Sequence, residues 1–180
     1  MQTPMTKYHA ISIALHWLMA ILIISAFVLG TYMVDMRISP TKLKYFSWHK
    51  WLGVTILALV AIRLLVRLVK GAPPHLASLK PWEKNLAGAT HFVLYLLMFA
   101  VPITGYLYSY AAGFPVVYFG LVQLPAIVGP YPELKDAFKE THEVLTNIMA
   151  VLVVMHFAAA LKHKLIDKDQ TLSRMLPGGE

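Results

Sequence analysis

Two histidines suggest chemistry by their spacing. His142 and His156 stand fourteen residues apart within one largely apolar stretch. In an α-helix that separation is about 21 Å along the axis, and fourteen steps of about 100° fall only about 40° short of four full turns. Both imidazoles therefore lie on one face, one toward each end of the stretch. The chain has eight histidines and no cysteine. Imidazole is thus its plentiful group for holding a metal or cofactor. Disulfides, thiolate metal sites, iron–sulfur clusters and a covalently attached c-type haem are excluded.

The same fourteen-residue ruler sorts three other apolar stretches. From His16 it lands on Gly30, from His49 on Arg63, and from His91 on Gly105. If successive helices alternate in direction, one level holds Gly30, His49, Gly105 and His142, and the other holds His16, Arg63, His91 and His156. The first level offers one pair of axial ligands, with glycine faces leaving room for a flat macrocycle. The second offers three imidazoles and a guanidinium that could pair with anionic haem propionates. A bis-histidine iron leaves no open coordination position, which suits electron transfer. Ionisable groups inside a lipid span are costly unless partnered, so they mark function. Taken singly, a histidine near a membrane interface is usually a surface residue, and a glycine often marks close helix packing. The stripe of two on one helix is the informative feature.

The elements that position these groups follow from composition. The 180 residues are 58% hydrophobic and 14% charged, with a mean hydropathy of +0.60. An average soluble chain carries roughly 25% charged residues. Four apolar runs, Ile11–Val34, Ser47–Leu68, Leu86–Ala111 and His142–Leu161, are each long enough to cross a bilayer as a helix. The expected fold is therefore all-α, an integral membrane four-helix bundle formed by residues 1–180 as one domain, with no separate water-soluble domain. The first run is read as a span rather than a cleaved leader, because it is long and lacks a small-residue cleavage site. Residues 112–141, rich in proline, are expected to form a lid over one end.

Basic residues give the expected orientation. Lys7, Arg63, Arg67, Lys70, Lys80, Lys84, Lys162, Lys164, Lys168 and Arg174 fall on one side. Arg37, Lys42, Lys44, Lys50, Lys135 and Lys139 fall on the other. The richer side is inner, which places both termini in the cytoplasm. The net charge of +7 is thus mostly a topology signal with some attraction to anionic membrane lipid, and nothing points to nucleic acid.

At these residues the chain resembles the bacterial cytochrome b-561 family, whose relatives include the membrane cytochrome b subunits of nickel–iron hydrogenase and formate dehydrogenase. The resemblance covers nearly the whole chain. It rests on His16-Trp17-Leu18, His49-Lys50-Trp51-Leu52-Gly53, and His91-Phe92-Val93-Leu94-Tyr95-Leu96 with Pro102 and Gly105. The His142/His156 helix adds to it, as do Ala160-Leu161-Lys162-His163 and Arg174-Met175-Leu176-Pro177 in the tail. It implies a bundle enclosing two b-type haems in the bacterial inner membrane. By position, His49 and His142 would ligate the outer haem, and His16 and His156 the inner one. His91 is then expected beside the inner haem or at a quinone site, with axial ligation as its alternative; Arg63 at the propionates or simply as a positive-inside anchor; and His163 at a propionate or a quinone pocket, or as a wet interfacial residue.

The leading functional expectation is electron transfer across the membrane between an outer-side donor and the quinone pool, with ubiquinone or another quinone as substrate. Superoxide:ubiquinone oxidoreduction fits a small stand-alone member, although the outer loops carry nearly balanced charge. The alternative is a haem-bearing membrane anchor that passes electrons from a docked peripheral oxidoreductase, with residues 112–141 as the docking surface. A metal or proton transporter would keep its polar sites near the midplane. These histidines lie toward the two ends instead.

Overall fold

The computed structural model describes residues 7–127 and 129–178. Four long helices dominate: α1 Ala10–Val34, α2 Pro40–Lys70, α3 Pro81–Ala111 and α4 Pro132–Lys162. Each is long and apolar enough to cross a membrane. Each contains its expected apolar run, and three of them extend well past it. α2, α3 and α4 all begin on a proline at the first helical position, where a missing N–H costs nothing and the fixed φ already suits the helix. Ser39 caps α2 by accepting from the Lys42 amide at 3.2 Å. Glu83 caps α3 by accepting from the Lys80 amide at 3.0 Å. α2 stops at Gly71, whose φ of 70° a residue with a side chain would resist.

These starts shorten the connections. The first is residues 35–39, and the longest is residues 112–131 rather than 112–141. The longest holds a two-stranded antiparallel hairpin, β1 Val117–Tyr118 and β2 Val122–Gln123, with Val117 opposite Gln123. β1 packs on the flank of α2. Beyond α4 the chain winds through one π-helical turn, His163–Asp167, passes Lys168 in the left-handed region, and closes with a short 3-10 turn, Ser173–Met175. The Trp17 indole N–H donates to the Met175 carbonyl at 2.8 Å, which ties this tail to α1.

Close packing runs α1 to α2, α2 to α3, and most extensively α3 to α4. Among the described residues, α4 is not closely packed on α1 or α2. Outward side chains such as Ile21, Leu65, Phe92 and Val154 are more than half exposed, as expected where lipid rather than water is the solvent. The core is a waist. Leu97, Val101 and Met149 are buried together, with Ile23, Met98 and Leu152 packed against them. Ile23, Met98 and Met149, together with buried Ile56, lie seven residues from the histidines of their own helices. The apolar layer therefore sits about 10 Å from each histidine level.

Candidate functional site

The histidine rings meet where helix packing is loosest. His49 of α2 and His142 of α4 face each other with ring centres 6.2 Å apart and planes at 86°. At the other level, His16 of α1 and His156 of α4 stand 6.2 Å apart with planes at 73°. A metal held between two imidazoles needs about 2 Å to each nitrogen and roughly 1.1 Å from nitrogen to ring centre, hence about 6.2 Å in total. Both pairs have that spacing, and both bridge helices that do not otherwise pack closely. The two spacings therefore suit a bis-histidine metal group at each level.

The first level is oriented by backbone. His49 Nδ1 lies 3.1 Å from the Ala26 carbonyl oxygen, and His142 Nδ1 lies 2.9 Å from that of Val101. A carbonyl can only accept, so each Nδ1 carries the proton and each Nε2 keeps its lone pair for a metal. Pro102 stands inside α3 at this turn, next to the carbonyl that His142 uses. The glycines behave differently from the expectation that they leave a macrocycle its space. A Cβ on Gly30 would lie 3.0 Å from His49 Cε1, and one on Gly105 would lie 2.9 Å from His142 Cε1. Each glycine makes room for an imidazole on the neighbouring helix.

The second level is charged and more crowded. Arg63 donates to the Ser12 carbonyl at 3.1 Å, and its other terminal nitrogen lies 3.3 Å from His16 Nδ1. Tyr8, Ser12, Arg63, Arg67, Tyr95 and Met175 line a small recess beside it. Two guanidiniums at one recess suit an anionic group such as a carboxylate. His91 packs edge-on against His156 at 5.4 Å between ring centres, shorter than the spacing of the two pairs. That contact leaves less than the room a bridging metal needs.

His163 stands apart from this arrangement. Its Nδ1 lies 2.9 Å from Asp167 and 2.8 Å from Asp169, in a cluster completed by Lys162, which pairs with Glu83 at 2.9 Å and Asp167 at 2.8 Å. Burial would raise the Asp169 carboxyl, but hydrogen bonds from Thr171 and from His163 hold it below the usual carboxylate range. The lysines at the His49 end are also engaged. Lys42 donates to the Val34 and Met36 carbonyls and so caps α1, while Lys50 reaches the Phe114 carbonyl at 3.4 Å. Sequence reasoning passed over Ser12, Tyr95, Ala26 and Val101 as site residues. Backbone carbonyls leave no signature in residue type, so the last two carried no readable signal. Trp17 and Trp51 donate to backbone carbonyls, the first to Met175 of the tail and the second to Val117 of the hairpin.

An all-α membrane bundle whose helices are bridged by imidazole pairs defines a membrane cytochrome. The chain belongs to the family described as prokaryotic cytochrome b561, which it matches over residues 7–178. It is 39% identical over 177 residues to cytochrome b561 homolog 2 of Escherichia coli K12, covering 94% of this chain and 91% of that one. It is 34% identical over 176 residues to a Yersinia pestis protein named "Probable superoxide oxidase CybB", covering 95% and 96%. Cytochrome b561 homolog 1 of Escherichia coli K12 is 30% identical over 179 residues, covering 96% and 98%. The chain is thus a multi-pass protein of the bacterial inner membrane whose work is electron transfer with b-type haem.

Proposed function

We propose that the protein carries electrons across the membrane through two bis-histidine b-type haems, from a donor on the outer side to a quinone. His49 and His142 would hold the outer haem, and His16 and His156 the inner one. The observation that carries this reading is the equal 6.2 Å spacing of two imidazole pairs set fourteen residues apart along α4. Haem supplies one-electron chemistry at each level. The protein supplies the rest: it fixes the Nδ1 protons of His49 and His142, excludes water from the waist, and places Arg63 and Arg67 at the anion-suited recess. His91 then acts beside the inner pair, and the basic asymmetry of the ends favours cytoplasmic termini.

Superoxide is the donor this reading favours, supported by the name of the Yersinia pestis relative. The balance is two superoxide anions oxidised to dioxygen for each quinone that takes two electrons and two protons to become quinol. In the test, purified protein in detergent with a ubiquinone analogue meets superoxide generated enzymatically. The reading expects quinol to form at half the rate of the protein-dependent loss of superoxide, beyond spontaneous dismutation, with no partner oxidoreductase required. Quinol formation that appears only when a copurifying oxidoreductase and its substrate are added would replace it with the membrane-anchor role.

A further inference from the structure

We propose that residues 113–127 form a re-entrant loop seated in the lipid leaflet at the His49 end, rather than a lid standing in water. The first observation is compositional. Residues 112–131 contain no charged side chain and a single side-chain amide, Gln123. Yet the loop turns its apolar groups outward: Phe114, Phe119, Val122 and Ile127 are more than half exposed and Leu121 is 85% exposed. A contiguous apolar surface of this kind is avoided in water.

The second observation is the fate of the loop's carbonyls. Irregular backbone is tolerated at membrane depth only when its polar groups are satisfied by protein. The Val116 carbonyl accepts from the Leu124 amide at 2.9 Å, and that of Tyr118 from the Leu121 amide at 3.0 Å. Side chains from the helices serve four more. Ser109 donates to the Phe114 carbonyl, Trp51 to that of Val117, Tyr110 to that of Leu124, and Tyr106 to that of Pro125. A loop in water would have no need of hydroxyl and indole donors from the last two turns of α3 and from α2.

The third observation is depth. Thr55 bonds the Tyr118 hydroxyl at 2.9 Å, and Trp51 bonds the backbone beside it. Trp51 and Thr55 lie about 28 and 22 Å along the axis from Lys70 at the far end of α2. A hydrocarbon layer about 30 Å thick starting near Lys70 therefore still encloses both. The hairpin is continuous with the lipid-facing surface of α2, so the occupant of its exposed face is lipid.

The test uses single-cysteine variants, since the chain has no cysteine of its own. Leu121→Cys and Val122→Cys are compared in phosphatidylcholine nanodiscs with Asp136→Cys, whose native side chain is 84% exposed on the first turns of α4. Variants are used only if they keep the native haem spectrum, with Phe119→Cys and Ile127→Cys as replacements on the same patch. The loop variants should react with a water-soluble maleimide at least about tenfold more slowly than Asp136→Cys, and a fluorophore on them should be quenched by spin-labelled lipid. Reaction within about twofold of Asp136→Cys without quenching would place the loop in water and overturn the proposal. Slow reaction without lipid quenching would mean that protein covers the patch, and would overturn it equally.

Discussion

Replacing Gly105 with alanine should loosen one haem and leave the other in place. The added Cβ would stand 2.9 Å from His142 Cε1 and 3.1 Å from its Nδ1. Ordinary carbon contacts begin near 3.5 Å, so the ring must move by about half an ångström. That movement would stretch the 2.9 Å contact between His142 Nδ1 and the Val101 carbonyl beyond useful hydrogen-bond range. Overpacking of this kind costs about 1–3 kcal/mol, or roughly 5- to 150-fold in retention of a group that His142 holds. The assay is haem transfer to an excess of apomyoglobin, followed by pyridine haemochrome determination of what remains. Gly88→Ala is the control: it is exposed on α3 and no protein atom lies within 4 Å of its new Cβ. If Gly105→Ala held both haems as tightly as Gly88→Ala does, the reasoning that places His142 on a metal would be refuted.

Three further outcomes follow from the geometry. Arg63→Gln removes a guanidinium from beside His16, and a change of about 1.4 kcal/mol between redox states would lower the inner midpoint potential by about 59 mV in a redox titration, leaving the outer potential unchanged. His91→Leu should keep two haems per chain, because the 5.4 Å edge contact with His156 is a packing contact; a fall to one haem would make His91 a ligand. The lowered carboxyl of Asp169 contributes stability that is present above the ordinary carboxylate pKa of about 3.9 and is lost as pH falls through the lower folded value. Hydrogen exchange in residues 163–175 should therefore rise only under acid conditions. Asp169→Asn should show raised exchange already at neutral pH.

The histidine levels were legible because helical geometry is repetitive: fourteen residues span the same distance on every helix, whatever surrounds them. The helix ends were not, because apolar runs report contact with lipid and a helix can continue past it. Pro40, Pro81 and Pro132 carried the missing signal, since proline suits the first helical position, but Pro132 reads equally well as a loop residue. Axial spacing also could not choose among three imidazoles at one depth. Which of His16, His91 and His156 face each other depends on rotation about the helix axes, and that is set by tertiary packing. Glycine was ambiguous for a related reason. Spacing located Gly30 and Gly105 at the right level, yet whether their open space belonged to a cofactor or to an imidazole required the neighbouring helix. His163 shared a face with His156 in projection, but the π-helical turn that begins at His163 directs it to Asp167 and Asp169 instead.

Haem stoichiometry in purified protein, read with each α4 histidine replaced in turn, bears most directly on the central claim. Native protein should contain two b-type haems per chain with low-spin bis-histidine spectra. His142→Leu and His156→Leu should each contain one, and the two surviving haems should differ in potential. A native protein with one haem, or a His142→Leu variant that retains two, would contradict the account.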